Sequence, residues 1–356
     1  MALPLRLLVT GGALAAVACG GPPANSPTST PPSSAPTKAG PRTQGCGFDP
    51  GKQGDGDFEI APPYKAAPEL TVKVGTPRGS VVNFEMKSTA SKIFPGLNGA
   101  YTRGVAVYIP KQYVDGTAAP FMVVQDGSSY VDMMTPILDT MIAARRLPAM
   151  IVVFVDNGGG DARGSERGLE YDRVSADYGN FIENEVLPLV LKNTDIQQTY
   201  KNLRLTKDPE GRATMGTSSG AAAAFTMAWH RPDLYRRVLT YSGTFVNQHP
   251  EKTYPGSAWE YHTHLIPDAP PKPLRVFLHV GQHDLDWNAE FRDGKHSWKD
   301  ANRAMAKVFA QKGYHYRFVF AKDSDHVDEK VMKQTLPDAL AWLWRGYSAC
   351  PEPPPS

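Results

Sequence analysis

Short apolar runs punctuated by glycine and proline dominate the chain from residue 70 onward, and their spacing changes character at about residue 120. Before that point the apolar residues alternate with polar ones or cluster in short runs, Leu70–Val74, Val81–Met86 and Val105–Ile109, separated by Gly and Pro. These predict antiparallel strands at the N-terminal edge of a sheet. After it, uniformly apolar runs alternate with longer amphipathic ones. Strands are predicted over Phe121–Gln125, Ile151–Val155, Arg212–Gly216, Val238–Tyr241, Leu274–Val280 and Tyr316–Phe320. Helices are predicted over Met133–Arg146, Ala176–Lys192, Ser219–His230, Trp298–Lys312 and Val331–Arg345. Runs without alternation are buried on both faces, so the expected class is α/β, with a mostly parallel central sheet and helices on both sides. In such sheets ligands bind at the carboxyl ends of the strands.

Composition sets few further limits. The chain has 356 residues, 41% hydrophobic and 21% charged, enough for one sizeable core. Its 38 basic and 36 acidic residues are interleaved and give a formal charge of +2, which offers nucleic acid no basic face. The first 19 residues carry Arg6, an apolar run from Leu7 to Ala18, and Cys19. That run is too short to span a bilayer and is read as an export signal. Ala16-Val17-Ala18-Cys19 resembles a bacterial lipobox with Cys19 as the lipidated residue; an ordinary signal-peptide cut beside a cysteine is the alternative. Residues 20–45, rich in Pro, Ser and Thr, form the expected linker or tether, 46–350 the catalytic domain and 351–356 a Pro-rich tail. Cys46 and Cys350 flank the folded part and, in an exported chain, suggest a disulfide. The expected location is the cell envelope, as a lipoprotein, or the exterior, with membrane contact only through that lipid.

Gly216-Thr217-Ser218-Ser219-Gly220 has the pattern G-x-S-x-G between a predicted strand and a predicted helix opening with four alanines. A Gly/Ser turn without catalytic role has the same letters, but the strand–turn–helix setting is that of a nucleophile elbow, which lifts a serine hydroxyl above the sheet. Such a hydroxyl needs a base, and in this arrangement the chain order is Ser, then Asp or Glu, then His. His326 lies between the last strand and the last helix; His315 starts that strand at its other end, and His283 and His296 precede it. At the end of the penultimate strand, Asp284 and Asp286 both qualify as the acid that orients His326. The amide of Ser219 supplies one oxyanion donor, and Gly127 or Ser128 the second. His262 with His264, or His279 with His283, lacks a third ligand at zinc-like spacing, so neither metal nor organic cofactor is expected.

Arg167, beyond the glycine-rich loop 156–161, is a candidate for a substrate carboxylate or sugar hydroxyls, although such charges more often close a loop among themselves. Trp259 lies in the segment 245–273, read as a flap that sets specificity.

Val124-Gln125-Asp126-Gly127, Arg167-Gly168-Leu169-Glu170-Tyr171-Asp172, Gly216 to Gly220, Gly281-Gln282-His283-Asp284 and Pro337 to Trp344 together resemble the esterase D-like esterase family. That family includes enterochelin, feruloyl and acetylxylan esterases and bacterial mycolyltransferases. The resemblance covers residues 54–346 and implies an α/β-hydrolase fold with Ser218, Asp284 and His326 as the triad. It favours Asp284 over Asp286 through the G-x-x-D placement. Ser324-Asp325-His326 departs from the Gly-Gly-His or Gly-Ala-His common in the family. The implied activity is hydrolysis of feruloyl, acetyl or siderophore esters through an acyl-enzyme. Acyl transfer of the mycolyltransferase kind, and a non-catalytic binding module on the same fold, are the alternatives.

Overall fold

A computed structural model describes residues 50–97, 99–161, 164–248 and 256–348. Cys19, Cys46, Cys350, the linker and the tail lie outside the described residues. The strands are β1 (Gly56–Ile60), β2 (Ser80–Lys87), β3 (Thr102–Ile109), β4 (Ala118–Ala119), β5 (Phe121–Gln125), β6 (Ile151–Val155), β7 (Arg204–Leu205), β8 (Arg212–Thr217), β9 (Arg237–Tyr241), β10 (Arg275–His283) and β11 (His315–Asp325). Among the described residues nine of these form one sheet in the order β1-β11-β10-β9-β8-β5-β6-β3-β2, and β4 pairs with β7 in a small second one. All neighbours from β1 to β6 run parallel; β3 is antiparallel to both β6 and β2.

The order of burial explains the order of strands. Every residue of β5, β6, β8 and β9 is buried. These strands therefore occupy the centre, where helices cover both faces. One face packs the helices Val131–Ala143 and Glu329–Trp344, with Ile137, Leu138, Leu336 and Leu340 in its core. The other packs Ser219–His230 and Trp298–Lys312, with Phe225 and Phe309. Burial of each such side chain is worth roughly 1.5–3 kcal/mol.

Two sequence expectations change at the edges. Leu70–Val74 is not a strand: Pro68–Leu70 is a single 3-10 turn, and Val74 is fully exposed. The edge beside β11 is taken instead by β1, whose Asp57 and Glu59 give it no apolar pattern to read. The expected helix 176–192 is interrupted by a π turn at Ile182–Val186, before Leu187–Lys192 with Pro188 in its first turn. Proline has no N–H for the i→i−4 bond, and the wider turn absorbs that missing bond.

Candidate active site

Ser218 sits between β8 and the helix Ser219–His230 with φ 53° and ψ −128°, a conformation that costs a non-glycine residue about 1–3 kcal/mol. Neighbouring backbone fixes it there. Its N–H donates to the Tyr241 carbonyl at 3.0 Å, and its own carbonyl accepts from the Thr244 N–H at 3.0 Å. Gly216 permits the sharp turn, since a Cβ there would stand 2.2 Å from the Gly220 carbonyl oxygen.

Ser218 Oγ lies 2.9 Å from His326 Nε2, and His326 Nδ1 lies 2.5 Å from Asp284 Oδ1. The acid and the base come from adjacent strand ends, β10 and β11. Gly281 lets those ends close, because a Cβ there would stand 2.4 Å from the Ser324 carbonyl oxygen. The Asp284 side chain is fully buried and also accepts from the Leu285 N–H at 2.8 Å. Burial pushes its pKa up, but His326, Ser242 and the Leu285 amide outweigh that and hold it below the ordinary value. Asp286, the other candidate, is turned away and accepts from the Asn288 N–H at 3.0 Å. Val327, next to the base, donates to Ser242 Oγ at 3.0 Å, so the histidine loop is tied to the end of β9.

The β5–β8 ladder pairs Val124 with Met215, which carries Gly127 to the level of Ser218. The Ser128 N–H is already committed to Asp156 Oδ1 at 2.8 Å. Of the two candidate donors on this loop, Gly127 is therefore the one not taken up by Asp156, and the Ser219 amide opens the helix that follows the nucleophile. Together they can hold a developing oxyanion.

Residues 100–343 match the family described as Putative esterase. This chain belongs to that family. The esterase is thus a carboxylic ester hydrolase with an α/β-hydrolase fold. It is similar, at 23% identity over 257 residues, to the uncharacterized protein YbbA of Bacillus subtilis (strain 168), covering 69% of this chain and 94% of YbbA. Among solved structures it resembles the enterobactin esterase FES of Shigella flexneri, with TM-score 0.51, 20% identity, 74% of this chain and 59% of that one. The esterase therefore spans less than two thirds of that relative's length. It also resembles a CE1 ferulic acid esterase of Anaeromyces mucronatus, solved with ferulic acid, with TM-score 0.56, 14% identity, 79% of this chain and 97% of that one.

The run Arg167 to Asp172 in the esterase frames the loop that carries Gly127. Arg167 grips Asp126 with two bonds, Nε to Oδ1 at 3.2 Å and Nη2 to Oδ2 at 2.8 Å, and its Nη1 reaches the Asp161 carbonyl at 3.0 Å. Its donors face the protein, so a substrate carboxylate would have to displace Asp126; the residue acts as a loop clamp. Asn157 Nδ2 adds a bond to Asp126 Oδ1 at 2.5 Å, and Tyr171 Oη accepts from the Asp126 N–H at 3.2 Å. These four contacts hold Asp126 in the left-handed region, φ 54°, immediately before Gly127. Glu170 takes a buried bidentate pair from Arg103 at 2.8 and 2.9 Å, and Arg103 also donates to the Asp156 carbonyl at 3.2 Å. Asp172 is buried beneath the elbow beside Ser219; burial raises its pKa to about 7, against opposing effects of Ser219 and Arg167.

Trp259 packs its ring edge against His262 at 4.4 Å on the rim of the core. The surrounding segment is not a flap in its described parts. Phe245, Val246, Tyr261 and Ile266 are fully buried, and Tyr261 stacks edge-on against Phe225 at 4.8 Å. Its apolar side chains joined the core because a helix face was there to receive them; residues 249–255 lie outside the described residues. Sequence reasoning missed Asp126 as a hub, and missed Ser242, Thr244 and Trp298 around the triad. Asp126 alone carried a signal, as the residue entering the oxyanion glycine.

Proposed function

We propose that the esterase cleaves its substrate through an acyl-enzyme on Ser218, with His326 as general base and acid and Asp284 as the group that fixes its tautomer. The observation that supports this is the unbroken path from Ser218 Oγ to His326 to Asp284, at 2.9 and 2.5 Å. His326 Nε2 takes the hydroxyl proton as Oγ attacks the ester carbonyl carbon, and the oxygen becomes an anion held by the Ser219 and Gly127 amides. Collapse breaks the bond to the alcohol, which leaves with the proton from His326. Water then attacks the acyl group, losing its proton to His326, and Ser218 regains it as the free acid departs.

An open groove of about 590 Å³ runs from Ser128 along β2 and β3, not over Ser218 itself. Phe84 and Phe154 give it apolar walls, and Glu85, Asp132 and Asp156 bring carboxylates. Such a lining favours a neutral or cationic portion of the substrate over an anionic one. The substrate class we propose is a feruloyl or acetyl ester of polysaccharide, with a siderophore ester next. Residues 1–19, outside the described residues, support action beyond the cytoplasmic membrane, either tethered through a lipid on Cys19 or secreted.

Labelling by a fluorophosphonate tests the mechanism: the wild type is labelled and Ser218→Ala is not. A folded wild type that resists the probe refutes it. Initial rates on p-nitrophenyl acetate, methyl ferulate and a siderophore ester, with and without an added alcohol acceptor, then rank the substrates and expose any acyl transfer.

A further inference from the structure

Thr244, just beyond β9, meets the nucleophile, and Trp298, at the start of the helix Trp298–Lys312, meets Thr244. Trp298 Nε1 donates to Thr244 Oγ1 at 3.0 Å, and Thr244 Oγ1 lies 3.4 Å from Ser218 Oγ. An indole N–H can only donate, so Thr244 Oγ1 is the acceptor in the first contact, and its own proton is free for another partner. Both residues are 1% exposed, which denies that proton to solvent. Ser218 Oγ is the polar atom within its reach. Ser218 sends its own proton to His326 Nε2, so its oxygen lone pairs are available to receive the one from Thr244.

We propose that Trp298 and Thr244 form a donor relay that positions Ser218 Oγ and supplies it with a hydrogen bond that strengthens as the oxygen gains negative charge. This rests on the acyl-enzyme reading given above. At 3.4 Å the bond is long in the resting enzyme, where a neutral hydroxyl is a weak acceptor. It tightens as Oγ loses its proton during attack, and again when Oγ is expelled from the acyl group. A contact stronger in the transition state than in the ground state raises kcat rather than substrate affinity.

The fold holds this relay on all sides. The Thr244 N–H donates to the Ser218 carbonyl at 3.0 Å, and Asn302 Nδ2 donates to the Gly243 carbonyl at 2.8 Å. These bonds fasten the loop after β9 to both the elbow and the helix Trp298–Lys312. The Trp298 N–H donates to the Leu285 carbonyl at 3.0 Å, beside Asp284, and its indole meets the His326 ring edge-on at 6.1 Å. One tryptophan thus touches the supports of nucleophile, base and acid.

The test compares Thr244→Val, Thr244→Ser and Trp298→Phe by stopped-flow burst kinetics with p-nitrophenyl acetate and by fluorophosphonate labelling rate. A hydrogen bond to a charged group is worth enough that Thr244→Val is expected to slow acylation roughly 10- to 100-fold, with the substrate concentration that half-saturates the burst rate little changed. Thr244→Ser restores most of the rate, and Trp298→Phe falls between. The relay is overturned if Thr244→Val acylates within about twofold of wild type, or if Thr244→Ser loses as much as Thr244→Val, the mark of methyl packing alone. Wild-type protein that shows neither burst nor labelling defeats the acyl-enzyme reading; intact wild-type labelling with an unaltered valine variant defeats only the relay.

Discussion

The Ser128 amide donates to the Asp156 carboxylate at 2.8 Å, and this bond leaves Gly127 as the donor that can face the nucleophile. Asp156 is held in turn through its carbonyl by Arg103. Asp156→Ala would orphan the Ser128 amide and let the loop 127–129 drift. Because loss of a whole oxyanion donor costs about 10²–10³ in rate, a misplaced one is expected to lower kcat roughly 10- to 100-fold with little change in KM. Asp156→Asn keeps an acceptor oxygen and should stay within about threefold. Steady-state kinetics on p-nitrophenyl acetate decide; an unchanged kcat in the alanine variant would remove Asp156 from the oxyanion side.

The centre of the sheet and the residues that meet as Ser218, His326 and Asp284 were legible because each leaves a local mark. Phe121–Gln125 and Ile151–Val155 are apolar without alternation, and their predicted bounds coincide residue for residue with β5 and β6. His326 could be chosen because, of the histidines after Ser218, it alone lies between the last strand and the last helix. Asp284 was favoured over Asp286 only by the G-x-x-D placement of the resemblance, because the β10–β11 register shifts between Gly281 and His283, and a shift of that kind re-aims the side chains beyond it in a way spacing does not show. Nor does spacing show the pairing of Thr244 with Trp298, 54 residues apart, which exists only once the end of β9 and the helix Trp298–Lys312 are packed together. At the sheet edge β1 escaped notice because Asp57 and Glu59 need no burial there.

The Ser218 backbone stores strain that only the fold around it sustains. At φ 53° and ψ −128° a glycine is far better suited than any residue with a Cβ. Both Ser218→Gly and Ser218→Ala abolish the hydroxyl and should be inactive. Only the glycine variant releases the strain, so it should melt at higher temperature than the alanine variant by an amount reflecting about 1 kcal/mol or more. Scanning calorimetry of the two proteins measures this. Equal melting temperatures would mean that the elbow is not strained in solution.

Arg103 and Glu170 form a pair whose side chains are both 0% exposed, with the guanidinium also lying over the Phe181 ring at 4.5 Å. Removing one partner strands a charge in the core. Arg103→Met and Glu170→Gln are each expected to cost about 3–5 kcal/mol, whereas the double variant should recover much of the loss. Urea denaturation of the four proteins gives the coupling energy directly. Additive losses would show that the pair holds no interaction beyond packing.

Asp172 makes the fold sensitive to pH in a direction opposite to that of a salt-bridged carboxylate. Both its carboxylate oxygens are buried without a partner at hydrogen-bond geometry, and burial raises its pKa from 3.8 to about 7. Folding therefore favours the protonated form. Between those two values the folded chain binds more protons than the unfolded one, so stability contributed by this group is fully present below the unfolded pKa of 3.8 and is lost as pH rises through about 7. The slope is at most about 1.4 kcal/mol per pH unit for one proton. Asp172→Asn is neutral throughout and fills the same volume. Relative to wild type its melting temperature should climb steadily from about pH 4.5 to about pH 7.5 and then level off. A constant difference across that range would place the carboxyl in contact with water or a cation. A difference that falls with pH would mean that Asp172 is ionised in the fold and held there by Arg167, reversing the balance between burial and charge at this site.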